Sequence, residues 1–238
     1  MRACPAARAA GAAYGEGVKT VWLGVVGAAL LGALVSCGDT SVKEPAGEVT
    51  VNVTEQDGSA FSYTTRVDFR PTLKPVSELS ADEAALLTAL NGERARGGSC
   101  TDPQGKVHVY AKTGELSLEA NIYVAAQGHA QAMVNGNFAS HVNTSDISLR
   151  TPMRRMVKAG YRPVAPAQGK GELYFEESLA FGQLTAAEVV QAWKTESFLH
   201  CRAIYIPLNY GAVTVVNGRA GNQYGRYWVL NTSGVIMN

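Results

Sequence analysis

Two histidines, His141 and His200, and three glutamates, Glu176, Glu177 and Glu196, are the residues of this chain whose types could do chemistry together. Neutral imidazoles and carboxylates form the donor set of zinc and similar divalent ions, and the same pair of groups can exchange protons with a substrate. Most of them fall in one stretch, E-E-S-L-A-F-G followed by A-W-K-T-E-S-F-L-H-C, from Glu176 to Cys201. A helix is expected between the two ends of that stretch. Thr185 with Glu188 three residues on is a capping box, so the helix opens at Ala186 and turns Val189, Val190 and Trp193 inward. Glu177 then precedes the helix, Glu196 lies near its end, and His200 lies just past it. His141 must come from elsewhere in the fold. Cys201, beside His200, reads either as a thiol nucleophile or as half of a disulfide.

The elements that must position these groups are legible along much of the chain. Ser80 and Glu83 form a capping box for a helix carrying Leu86, Leu87 and Leu90, stopped by Gly97-Gly98. A loop over 99–114 holds a short strand at Val107–Tyr110. A further helix is expected from Leu118 to Val134, with Ile122, Ala125, Ala126, His129 and Met133 along one face. On that apolar face His129 reads as a core histidine, not a ligand. Asn135-Gly136-Asn137 ends the helix. Thr151-Pro152 opens a third, closed at Gly160. Strands are expected at Gly211–Val216 and Arg226–Asn231. Upstream, V-T-V-N-V-T and F-S-Y-T-T-R-V-D-F alternate around a D-G turn, which fits a docked hairpin or a loosely ordered stalk.

Composition narrows the class. The chain has 238 residues, 46% of them hydrophobic, enough for the core of one ordinary domain. A net charge of +1 gives no electrostatic footprint for nucleic acid. Val21 to Val35 is an apolar run with Lys19 before it, shorter than the roughly 20 residues a bilayer span needs, and fits a signal-peptide core. It ends in L-V-S-C-G, the pattern of a bacterial lipobox, which makes Cys37 the lipidated first residue of the mature protein. Loss of residues 1–36 removes Arg2, Arg8, Lys19 and Glu16 and takes the net charge to −1. Residues 37–47 read as a tether and 48–78 as the hairpin or a linker. The expected location is the extracytoplasmic side of a membrane, held there by the lipid on Cys37. In such an oxidising compartment, with Cys4 gone and Cys37 acylated, a disulfide is the default for Cys100 and Cys201.

Helices early, strands late and no repeated βα unit point to an α+β or three-layer α/β/α domain. Gly-rich phosphate loops, HExxH and GxSxG are missing from the sequence, which removes the simplest enzyme readings.

Taken in order, L-L-T-A-L-N-G-E-R-A-R-G-G-S-C, A-A-Q-G-H-A-Q-A-M-V-N-G-N-F-A-S-H, R-M-V-K-A-G-Y, E-E-S-L-A-F-G, V-V-Q-A-W-K-T-E-S-F-L-H-C and N-Y-G-A-V-T-V resemble the bacterial branch of the CAP superfamily, the cysteine-rich secretory, antigen 5 and pathogenesis-related proteins. The resemblance runs from about residue 80 to 232, within a domain taken as 79–238. It implies an α-β-α sandwich with a central antiparallel sheet, and a surface cleft of two His and one or two Glu that in some members takes a divalent metal such as Zn²⁺. Residue by residue it implies His141, Glu177 and His200 as cleft residues, with Glu196 as the second cleft carboxylate. It also implies a Cys100–Cys201 bridge. Two departures stand out: Ser178 replaces the family's Asn after the cleft Glu, and Trp193 to His200 is one residue longer than usual. The second puts Glu196 in a different register, and Glu176 competes with Glu177 for the cleft position. The function implied is binding of a small-molecule, lipid or peptide ligand through the cleft. A metal-dependent hydrolase with Glu177 as base is the alternative.

Overall fold

A computed structural model describes residues 47–55, 58–164 and 171–237. The leader, Cys37 and the tether as far as Ala46 lie outside the described residues. In chain order the elements are β1 (Glu48–Thr54), β2 (Ala60–Arg66), α1 (Ala81–Arg96), β3 (Gly98–Thr101), β4 (Val107–Tyr110), β5 (Ser117–Leu118) and α2 (Ala120–Gly136). There follow α3 (Pro152–Ala159), β6 (Gly171–Phe181), α4 (Ala186–Glu196), α5 (Phe198–Tyr205), β7 (Tyr210–Asn217) and β8 (Arg226–Met237). The protein is a mixed α+β fold.

Local signals set most helix ends. Both capping boxes form, with Ser80 accepting from the Glu83 amide and Thr185 from that of Glu188. Gly97 ends α1 at φ +71°, and a Cβ there would sit 2.7 Å from the Tyr110 carbonyl oxygen. Only glycine can occupy that turn. Asn137 closes α2 in the left-handed region, and Thr151 caps α3 with Pro152 at its first turn.

The main sheet has the order β5-β7-β8-β6. β7–β8 and β8–β6 pair antiparallel; β5 adds two residues parallel to β7. The sheet is therefore mixed where a purely antiparallel one was expected. The long excursion through α2, α3, β6, α4 and α5 between β5 and β7 supplies the crossover that a parallel pair requires.

Alternate residues of these strands feed two different cores, as the period of two demands. Val213, Trp228, Leu230 and Ala180 pack with α1, α4 and α5 around Leu86, Leu90 and Trp193. Ala212, Phe175, Leu179 and Val229 pack with α2 and α3 around Ile122, Met133 and Met156. The β1–β2 hairpin is docked on the α3 side: Val51, Val53 and Tyr63 join Met153 and Met156, and Tyr63 donates to the Pro163 carbonyl at 2.6 Å. Glu55, just past β1, takes Arg154 Nη2 at 2.6 Å and the Thr151 hydroxyl.

Candidate functional site

The site is built around β6, an edge strand of the main sheet. Consecutive side chains of a strand point to opposite faces, so Glu176 and Glu177 leave β6 in opposite directions. Each is buried and each meets an arginine. On the α5 side Glu176 accepts from Arg202 Nη2 at 2.5 Å. On the α3 side Glu177 accepts from Arg155 Nη2 at 2.7 Å.

The two carboxylates differ sharply in character. Burial pushes Glu176 up to about 7, with Arg202 and His141 only partly opposing it. Burial also acts to raise Glu177, but Arg155, His129 and His141 together outweigh it and hold that carboxyl at about 2. Glu177 is therefore a fixed anion, with a side chain 0% exposed.

His141 lies in the loop after α2 and is gripped from both sides. Its Nδ1 is 3.0 Å from Glu177 Oε1. That contact places the proton on Nδ1 and leaves the Nε2 lone pair outward. Its backbone carbonyl accepts from Arg155 Nη1 and Nη2 at 3.1 and 3.2 Å. The same guanidinium reaches the carbonyls of Leu149 and Arg150, closing both ends of the 141–150 loop onto α3. The preceding carbonyl, that of Ser140, accepts from His129 Nε2 at 2.9 Å. Burial, reinforced by Arg155 and resisted by Glu177, brings His129 down to about 4, so it is neutral.

His200 arrives from α5, a separate helix where the sequence pattern places only the residues just past α4. Ser197 caps it. The helix is fixed at two further points. Cys201 is bonded to Cys100 of β3, with Cα atoms 5.8 Å apart. Arg94, buried under the end of α5, donates to the carbonyls of Ile204, Ile206 and Leu208 at 3.0, 3.2 and 2.8 Å. With its sulfur in a disulfide, Cys201 is not a nucleophile. His200 Nε2 stands 3.5 Å from His141 Nε2. Burial, with His141 adding to it, brings His200 down to about 4.

The expected set of His141, Glu177, Glu196 and His200 is thus brought together only in part. His141 and His200 meet. Glu177 touches His141 on the side away from His200, so it orients the imidazole and does not share its open face. Glu196 is the exposed last residue of α4, with no bond to the cluster among the described residues. The chain re-caps at Ser197 immediately after it, which swings α5 and His200 to the sheet edge and leaves Glu196 in solvent. Arg155 and Arg94 are positioning groups that the motifs do not reveal. A charged residue on the buried face of α3, between Met153 and Met156, is the available signal for Arg155.

Among the described residues no group of three or more His, Cys, Asp or Glu is placed to hold a metal ion. The protein donor set is two imidazole nitrogens. Two nitrogens on one tetrahedral zinc, each about 2.0–2.1 Å from it, stand ~3.3–3.4 Å apart. The 3.5 Å between the Nε2 atoms is close to that spacing. Binding there would require the His200 proton to sit on Nδ1, so that both Nε2 lone pairs face the ion, and the remaining positions would fall to water or ligand.

Fold and site together define an α+β protein with an imidazole pair at a sheet edge, beside two buried glutamates that each pair with an arginine. No protein-family model matches the chain, and no curated protein matches it. A solved structure, that of an outer surface protein from Borrelia burgdorferi, resembles it with a TM-score of 0.41 and 14% identity over 69% of this chain and 98% of that one. A likeness that distant decides nothing about this chain. Among the described residues no helix is long and apolar enough to cross a membrane.

Proposed function

We propose that this is an exported envelope protein, anchored by lipid on Cys37, whose CAP-type α-β-α sandwich binds a small-molecule, lipid or peptide ligand through the His141–His200 pair, with a divalent metal such as Zn²⁺ between them. The family reading rests on the ordered motifs from residue 80 to 232, and the helices packed on both faces of the main sheet agree with it. The anchor rests on the apolar run before L-V-S-C. The observation that carries the site is the 3.5 Å approach of two Nε2 atoms, one of them pre-oriented by a buried carboxylate.

Binding without turnover is the reading favoured over hydrolysis. A hydrolase would use Glu177 as base, yet both its oxygens are engaged and its carboxyl is held at about 2. A base that weak takes up a proton poorly near neutral pH. The test is titration of the metal-free mature protein with Zn²⁺ by calorimetry. Binding in the micromolar range or weaker is expected, since only two ligands come from the protein. His141→Ala and His200→Ala should each abolish it and Glu196→Gln should leave it unchanged. Undiminished binding in both histidine variants would refute the site.

A further inference from the structure

Behind Glu177, on the α2 side of the sheet, four buried polar atoms have no partner among the described residues: His129 Nδ1, Arg155 Nε and both side-chain atoms of Asn231. All four belong to residues that neighbour Glu177. Asn231 of β8 stands directly across from Glu177 in the strand register, which sets their Cβ atoms ~4.5–5.5 Å apart. Glu177 Oε1 is 3.8 Å from His129 Nε2, and Oε2 is 2.7 Å from Arg155 Nη2. Asn231 is 0% exposed and His129 1%.

Buried polar atoms are almost always satisfied, and an unpaired amide in a core is costly. The tautomer of His129 defines what is missing. Its Nε2 faces the Ser140 carbonyl, which can only accept, so Nε2 carries the proton and Nδ1 is a bare lone pair needing a donor. Asn231 offers both donors and acceptors, and Arg155 Nε offers a donor. Ordered water is the one small species that can donate to Nδ1 while accepting from Asn231 and Arg155.

This bears on the site because of where His129 points. It holds the Ser140 carbonyl, and Arg155 holds the next carbonyl, that of His141. Two consecutive peptide oxygens are thus gripped from α2 and α3, immediately before and at the imidazole that faces His200. We propose that His129 and Asn231, joined by ordered water behind Glu177, are positioning residues that hold His141 against His200. The proposal rests on reading that pair as a ligand site, but the positioning can be measured with no metal present.

In the metal-free, ¹⁵N-labelled mature protein, the His141 Nδ1 proton donated to Glu177 should give a slowly exchanging imidazole resonance. His129→Leu should lose that resonance with the backbone spectrum otherwise folded. His129→Gln, whose amide nitrogen sits where Nε2 was, should keep it. Co²⁺ titration should follow the same order, with His129→Leu at least about 10-fold weaker and His129→Gln within about threefold of wild type. Asn231→Leu is close in size and removes the polar atoms. It should lower the melting temperature by several degrees if water bridges these atoms, and raise it or leave it unchanged if no water does. A resonance retained in His129→Leu, or an Asn231→Leu variant as stable as wild type, overturns the proposal. Wild-type protein that takes no Co²⁺ while the resonance pattern holds supports the positioning and sinks the metal reading alone.

Discussion

Acid should unfold this protein earlier than its carboxylates alone would dictate, because the core holds neutral imidazole. His129 is brought from 6.5 to about 4 on folding, chiefly by burial. Between those values the unfolded chain binds a proton that the folded one refuses, so stability is full above pH 6.5 and is lost as pH falls toward 4. Over the window from pH 6.5 to 4.5 that is two pH units at 1.36 kcal/mol each, about 3 kcal/mol from His129 alone. His200, also brought from 6.5 to about 4, acts in the same direction, with a smaller weight because its ring keeps some contact with water. Glu176, raised from 4.5 to about 7, acts oppositely: its contribution is full below pH 4.5 and is lost as pH rises through about 7. Those two largely offset each other. Glu55, Glu93 and Glu177 are held below 4.5, so they begin to cost stability only below the window. A net loss of up to about 3 kcal/mol corresponds to a drop of up to roughly 6–12 °C in melting temperature for a domain of this size. Thermal melts by circular dichroism at pH 7 and 4.5, with chelator present, should show that drop, and His129→Gln, which cannot titrate, should show most of it removed. Equal melting temperatures at the two pH values, or an undiminished drop in His129→Gln, would refute the reasoning.

The Cys100–Cys201 bridge spans 101 residues, a loop worth about 4–5 kcal/mol on the chain-entropy account, though measured values often fall lower. Cys100→Ser and Cys201→Ser should therefore each lower the melting temperature by roughly 10 °C and by similar amounts, the double variant no worse than either. Ellman titration of the unfolded, unreduced mature protein should find no free thiol. For the anchor, a clickable fatty-acid analogue fed to expressing cells should label the wild type and not Cys37→Ser, and equal labelling of the two would sink the lipoprotein assignment.

What the chain determined unaided is its short-range hydrogen bonding. Ser80, Thr185, Thr151-Pro152, Gly97 and Asn137 mark helix ends because each satisfies an orphan backbone group or a special backbone angle within a few residues of itself. The candidate histidines were legible through ordered motifs, and the Cys pair through compartment and count. β6 is not legible as a strand because both of its faces are buried and each carries a glutamate. Glu176 and Glu177 interrupt the apolar pattern, and only arginines from α5 and α3, 26 and 22 residues away, make their burial tolerable. α5 escapes for a related reason: eight residues after a helix end hold too little periodicity to declare a second helix. The tertiary structure alone decided that Glu177 backs His141 and does not share its open face, that Glu196 is left in water, and that a histidine which reads as core packing grips the peptide beside the site. Each of these depends on which side of an edge strand a segment crosses. That is settled by long-range packing, and no pattern of spacing in the chain encodes it.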